Sequence, residues 1–172
     1  IKGKDKVALI TAAASGIGRA TSDIIAAEGG TVVAVDVNDD RLEAMVTEIT
    51  GAGGKAVAYN TDATDRDAVN RTVASAMEHH GHIDILVNAV GGSTIIANPA
   101  ARTDELTLEE WQAINAFNLD GMFLFSKALI PIMKNQGGGK IVNLASIAGR
   151  GFSDASSSAY ATAKGGVIAF TK

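Results

Sequence analysis

Thr11-Ala-Ala-Ala-Ser-Gly-Ile-Gly18 follows the apolar run Val7–Thr11 and leads into a stretch, 17–28, with helical periodicity. A buried strand that passes through a glycine-punctuated turn into a helix is the opening unit of a nucleotide-binding α/β sheet. Small residues let the backbone approach a pyrophosphate, and the helix N-terminus supplies positive potential. Thr11, Ser15, Gly16, Ile17 and Gly18 are therefore candidate cofactor contacts. A plain strand-to-helix turn carries similar glycines, so the rest of the chain must decide between the two.

Working outward, further apolar runs at Thr31–Asp36, 56–60, 84–88 and 140–145 are rich in Val and Ile, lack alternation and are bounded by turn residues, as strands buried on both faces are. Between them, 39–50, 65–79 and 107–134 carry helical periodicity and open near Ser, Thr or Asp residues suited to capping, and another helix starts near Ser158. Strand and helix alternate throughout. With right-handed crossovers this predicts a doubly wound parallel sheet, Rossmann-like, in three α/β/α layers, with ligands at the carboxyl ends of the strands.

Asp36 ends the second strand about 20 residues after the glycine turn, where a carboxylate hydrogen-bonds the adenosine ribose hydroxyls and repels a 2′-phosphate. We expect NAD, with NADP the less favoured coenzyme; Arg41 is the nearby cation that argues the other way. Asp62, after the third strand, is free to meet the adenine if Thr64 or Asp65 caps the next helix. The helix at 107–134 has apolar residues on every face, so we expect one face on the sheet and another, with the helix after Ser158, on a second subunit.

The 172 residues are 47% hydrophobic with 19 glycines, and fit one domain, 1–172, with a sizeable core. The net charge of -4, without a basic run, predicts no nucleic-acid or anionic-membrane partner. No cysteine is present, which excludes disulfides and thiolate chemistry and suits a cytoplasmic protein. The longest apolar stretch, 121–133, is too short to span a bilayer. His79, His80 and His82 stand at a helix end, where His favours the negative dipole, and no metal site is expected there. The chain reaches Lys172 inside a helical pattern, so we expect a fragment lacking its last strands.

Tyr160 and Lys164 stand four residues apart in Ser158-Ala-Tyr-Ala-Thr-Ala-Lys164, with Ser146 upstream. Positions i and i+4 on a helix are about 5–6 Å apart at their β-carbons and share a face. A cation 4 Å from a phenolate, at an effective dielectric near 20, stabilises it by about 4 kcal/mol. Such a tyrosine is a general acid/base.

Together these residues resemble the short-chain dehydrogenase/reductase family in its compact single-domain form, over Lys6 to the last residue. The glycine motif is Thr11 to Gly18, the family's Asn-Asn-Ala-Gly stands as Asn88-Ala-Val-Gly91, and its helix-four asparagine is Asn118. The resemblance implies NAD(P)-dependent interconversion of a secondary alcohol and a ketone. Tyr160 is the acid/base, Lys164 assists it and holds the nicotinamide ribose, Ser146 steadies the substrate oxygen, and Asn118 holds a water linking the lysine to solvent. Asn88 and Gly91 join the cofactor set. Ala12 replaces a glycine, which strains the turn if that backbone needs positive φ. Ser146 and Tyr160 are 14 residues apart, one more than the common spacing, so an extra loop residue is expected around 150–157. Ser93, Arg150 and Phe152 are substrate candidates. Sugar-nucleotide epimerisation or dehydration, and a non-catalytic NAD-binding regulator, are the rival readings.

Overall fold

Residues 3–151 and 155–172 are described by the structure, a computed structural model. The chain runs β1 (Val7–Thr11), α1 (Gly16–Ala27), β2 (Thr31–Asp36), α2 (Asp39–Gly51), β3 (Lys55–Asn60), α3 (Arg66–His80), β4 (Ile85–Asn88), α4 (Leu108–Asn135), β5 (Lys140–Asn143), a 3-10 turn (Ile147–Arg150) and α5 (Ser158–Phe170). The strands form one parallel sheet ordered β3-β2-β1-β4-β5. Chain order reverses between β1 and β4, and a crevice opens at their carboxyl ends.

Successive strand residues face opposite ways, so each strand feeds two cores. Leu9, Val33, Val35 and Leu86 join Val69, Val73, Phe125 and Leu129 from α3 and α4 on one face. Ala8, Ile10, Val32, Ala34 and Val87 join Ala26, Leu42, Met45 and Ile49 from α1 and α2 on the other. This is the expected three-layer, doubly wound sheet.

The helix starts follow local chemistry. Asn38, Asp65, Thr107 and Ser157 each accept a first-turn amide, and Glu110 completes a capping box with Thr107. Ser15 stands at the N-cap position of α1 without a side-chain cap bond, which leaves amide donors of that first turn open. β5 is two residues shorter than the sequence predicts. Leu144 still donates its amide to Asn88, but its carbonyl turns to a side chain, described below.

At the amino edge of the sheet, Asp84 ties three elements. It accepts from Lys6 Nζ at 2.8 Å and from the Val7 amide at 2.9 Å, and His82 Nε2 lies 3.3 Å away. Burial alone would push its carboxyl up, but these donors outweigh burial and hold it below the ordinary carboxylate range. His79 and His80 close α3 before the left-handed Gly81, their rings edge-to-face at 5.4 Å.

α4 extends beyond the apolar stretch 121–133 at both ends. By length and composition this 28-residue helix is long and apolar enough to cross a bilayer. Ile114, Asn118, Gly121, Met122, Phe125, Ser126, Leu129 and Met133 are buried within the fold, while Phe123 and Ile130 on the opposite side are exposed.

Candidate active site and coenzyme groove

The turn after β1 approaches the start of α1 too closely for any side chain at Gly18, where a Cβ would lie 2.1 Å from the Ala12 carbonyl oxygen. Ala12 itself adopts φ +49, and Gly16 φ +51. The strain expected at Ala12 is thus present: a left-handed alanine costs about 1–2 kcal/mol. Beside this turn a cavity of about 250 Å3 lies along the carboxyl ends of the strands, lined by Ala12, Ser15, Asp36, Asp62, Gly91 and Phe117 among others. A larger hollow of about 680 Å3, lined by Lys6, His82, Asp84 and residues 136–140, opens at the opposite edge and holds none of the expected site residues.

Asp36 bridges two turns. Its Oδ2 accepts the Ala14 amide and its Oδ1 the Asn38 amide, each at 3.1 Å. A carboxylate has about four acceptor sites, so two backbone donors leave capacity for ribose hydroxyls. Asp65 caps α3, yet Asp62 is not wholly free, because its Oδ1 accepts the Thr64 amide at 2.8 Å and the Thr64 hydroxyl at 2.7 Å. Arg19 is paired with both Asp23 and Glu48. Arg41 is exposed on the first turn of α2.

Two expected cofactor contacts have buried side chains engaged within the protein. The Thr11 hydroxyl accepts the Ala89 amide at 2.9 Å and the Val90 amide at 3.3 Å, which joins the ends of β1 and β4 at the crevice. Asn88 directs its amide to Asn143 and Ser126 on the sheet's α4 side. Both side chains are almost fully buried, Thr11 at 1% and Asn88 at 4% exposure.

Lys164 is 4% exposed, and its Nζ donates to the Leu144 carbonyl at 2.9 Å. It lies 5.8 Å from the centroid of the Tyr160 ring. Ser157, buried before α5, accepts the Tyr160 amide at 3.3 Å and fixes the turn that carries the ring. The Tyr160 side chain is partly exposed, and none of the described residues hydrogen-bonds its hydroxyl. Ser146 Oγ accepts the Ala148 amide at 3.2 Å, an arrangement that leaves its own proton to donate.

Asn118 ties α4 to the loop after β4. Its Nδ2 donates to the Gly92 carbonyl at 2.9 Å and the Ile114 carbonyl at 2.8 Å, and its Oδ1 accepts the Gly92 amide at 3.0 Å. Both side-chain N–H groups are engaged, so the side chain clamps the loop after β4. A Cβ on Gly91 would lie 2.6 Å from Asn118 Oδ1 and 2.8 Å from Lys164 Nζ, so only glycine admits both. Ser93 follows this loop and Arg150 ends the 3-10 turn. Phe152, and part of the stretch where an extra residue was expected, lie outside the described residues.

Sequence reasoning missed the Leu144 carbonyl, the Thr11 bridge, and Val90 and Phe117 as groove walls. Phe117 precedes Asn118 on α4, and that adjacency was the available signal.

The groove fits a dinucleotide on three counts: an α1 terminus without a side-chain cap, a turn closed to side chains at Gly18, and an anchored carboxylate at Asp36. Burial lowers the Lys164 ammonium below the ordinary lysine value. The unfolded chain therefore binds that proton more tightly, and this contribution to native stability rises with pH from the lowered value to about 10.4. Denaturation curves from pH 7 to 10 should show the wild-type protein gaining stability relative to Lys164→Met. Parallel pH dependences would contradict this.

The model for the short chain dehydrogenase family matches residues 6–172. The 3-oxoacyl-(acyl-carrier-protein) reductase of Thermotoga maritima is 39% identical over 97% of this chain and 65% of its own. The 7alpha-hydroxysteroid dehydrogenase of Bacteroides fragilis is 37% identical over 98% and 64%. A solved NAD+-bound xylitol dehydrogenase superposes with TM-score 0.92 at 33% identity, over 99% of this chain and 64% of that one. This chain thus spans just under two thirds of the length of these relatives. With the parallel five-stranded sheet and the glycine turn, these matches establish that the chain belongs to the short-chain dehydrogenase family.

Proposed function

We propose that this chain carries the coenzyme site and proton-transfer centre of an NAD-dependent oxidoreductase that interconverts a secondary alcohol and a ketone. The observation that carries the reading is the Tyr160 hydroxyl, unpartnered among the described residues, one helical turn from a buried ammonium. When bound, the nicotinamide accepts hydride from the alcohol carbon or returns it to the ketone.

Tyr160 takes the alcohol's hydroxyl proton during oxidation and gives it back during reduction. Lys164 contributes a positive charge that favours the phenolate. Part of its hydrogen-bonding capacity is committed to Leu144, which fixes where that charge sits. Ser146 donates its proton to the substrate oxygen while its own oxygen is held by the Ala148 amide. Gly91 and Asn118 keep the loop clear of the lysine.

Asp36 supports NAD over NADP, because a 2′-phosphate would meet a carboxylate fixed by two amides. Arg41, the cation that argues the other way, is exposed on the first turn of α2, while Arg19 is already paired with acidic residues. The names of the relatives, a 3-oxoacyl-thioester reductase and a hydroxysteroid dehydrogenase, bracket the substrate class without narrowing it. Exposed Phe123 and Ile130 on α4 and Phe170 on α5 support a homo-oligomer built on these helices. We read the protein as cytoplasmic.

Tyr160→Phe is expected to lower kcat by about 100-fold or more with NADH affinity retained, measured by steady-state turnover and coenzyme titration. Near-normal turnover would remove the mechanism. The ratio of kcat/KM for NAD over NADP should exceed about tenfold, given the like-charge contact at Asp36; equal values would refute the preference. Sedimentation at micromolar concentration should show a dimer or larger, and a monomer would contradict the interface.

A further inference from the structure

A second polar path, outside the coenzyme groove, joins the sheet to the far end of α5. Asn88 Nδ2 donates to Asn143 Oδ1 at 2.8 Å and to Ser126 Oγ at 3.3 Å. Asn143 Nδ2 donates to Thr171 Oγ1 at 3.1 Å, and that hydroxyl donates to the Val167 carbonyl at 2.6 Å. Asn88 and Asn143 are register partners at the carboxyl ends of β4 and β5. The next residue is Leu144, whose carbonyl holds Lys164.

Two consecutive residues of the β5 segment therefore grip α5 at two points. Asn143 holds Thr171 and Leu144 holds Lys164, seven residues apart and so on one side of the helix, about 10 Å along its axis. Two fixed points set both the rotation and the axial position of a rod, whereas one leaves it free to swivel. Packing alone does not explain the amides. Asn88 Oδ1 is buried with no hydrogen-bond partner among the described residues, a destabilising arrangement that an apolar side chain would avoid. What the amide provides is the fixed path to Asn143.

We propose that Asn143 and Thr171 are positioning residues for the Tyr160–Lys164 pair: their amide-to-hydroxyl bridge fixes how α5 lies against β5, and so where the Tyr160 hydroxyl sits at the groove. This rests on the oxidoreductase reading. Thr171 is 11 residues beyond Tyr160, about 16 Å along the helix, and exposed, too far to reach a molecule reacting at the tyrosine.

The test compares Thr171→Val, which removes the hydroxyl at nearly constant shape, with Thr171→Ser, which keeps it. The purified protein is assayed for kcat, coenzyme KM, thermal melting and amide hydrogen exchange of α5. Thr171→Val should lower kcat about tenfold, as sub-ångström misplacement of a reacting group does. Its coenzyme KM should stay within about twofold of wild type, and α5 should lose exchange protection. Thr171→Ser should restore both. Unchanged kcat in Thr171→Val, or equal losses in the two variants, would overturn the proposal. If the wild-type protein turns over no ketone, the oxidoreductase reading fails. The exchange data then decide separately, and undiminished α5 protection in Thr171→Val would still reject the bridge.

Discussion

A single hydrogen bond, from the buried Lys164 ammonium to the Leu144 carbonyl, governs the arrangement at the active edge of this molecule. Desolvating an ammonium is costly unless acceptors replace water, and a main-chain carbonyl at the end of β5 does so. That carbonyl points at α5, and β5 ends at Asn143, one residue before it. Because the ammonium lies under the loop after β4, Gly91 has no room for a side chain, and Asn118 holds that loop through Gly92. The phenol of Tyr160 is carried on the same helix, so its place follows from the same contact.

The two edges of the sheet contrast physically. At the amino edge, Asp84 gathers Lys6, Val7 and His82 into an arrangement in which charge and hydrogen bonding agree. The carboxyl edge has a left-handed alanine, a helix start without a side-chain cap and a buried lysine. Each is unfavourable in isolation. Their gathering around one groove is the pattern of a site in which local stability gives way to ligand chemistry.

The sheet was legible in the residues because buried parallel strands read as continuous Val and Ile runs, and all five appear where those runs lie. Asp65 was legible as one of two cap candidates, with Thr64, because capping is a contact between near neighbours in sequence. Side-chain targets were not. Whether Asn88 faces the groove or the sheet's interior depends on strand parity and on which helix packs there. The acceptor of Lys164 lies 20 residues upstream and is a backbone atom, which leaves no mark in residue type. Asn118 stands out by its awkward place in a helix, but its partner, the Gly92 peptide, is set by tertiary approach alone.

Proton transfer at this site depends on where one oxygen lies. A crystal structure of the protein with NAD+ and a bound substrate analogue should place the Tyr160 hydroxyl and the Ser146 hydroxyl within hydrogen-bonding distance of the analogue's oxygen. The nicotinamide C4 should face the adjacent carbon. A Tyr160 hydroxyl turned into the protein interior, or a nicotinamide ring lying away from α5, would contradict it.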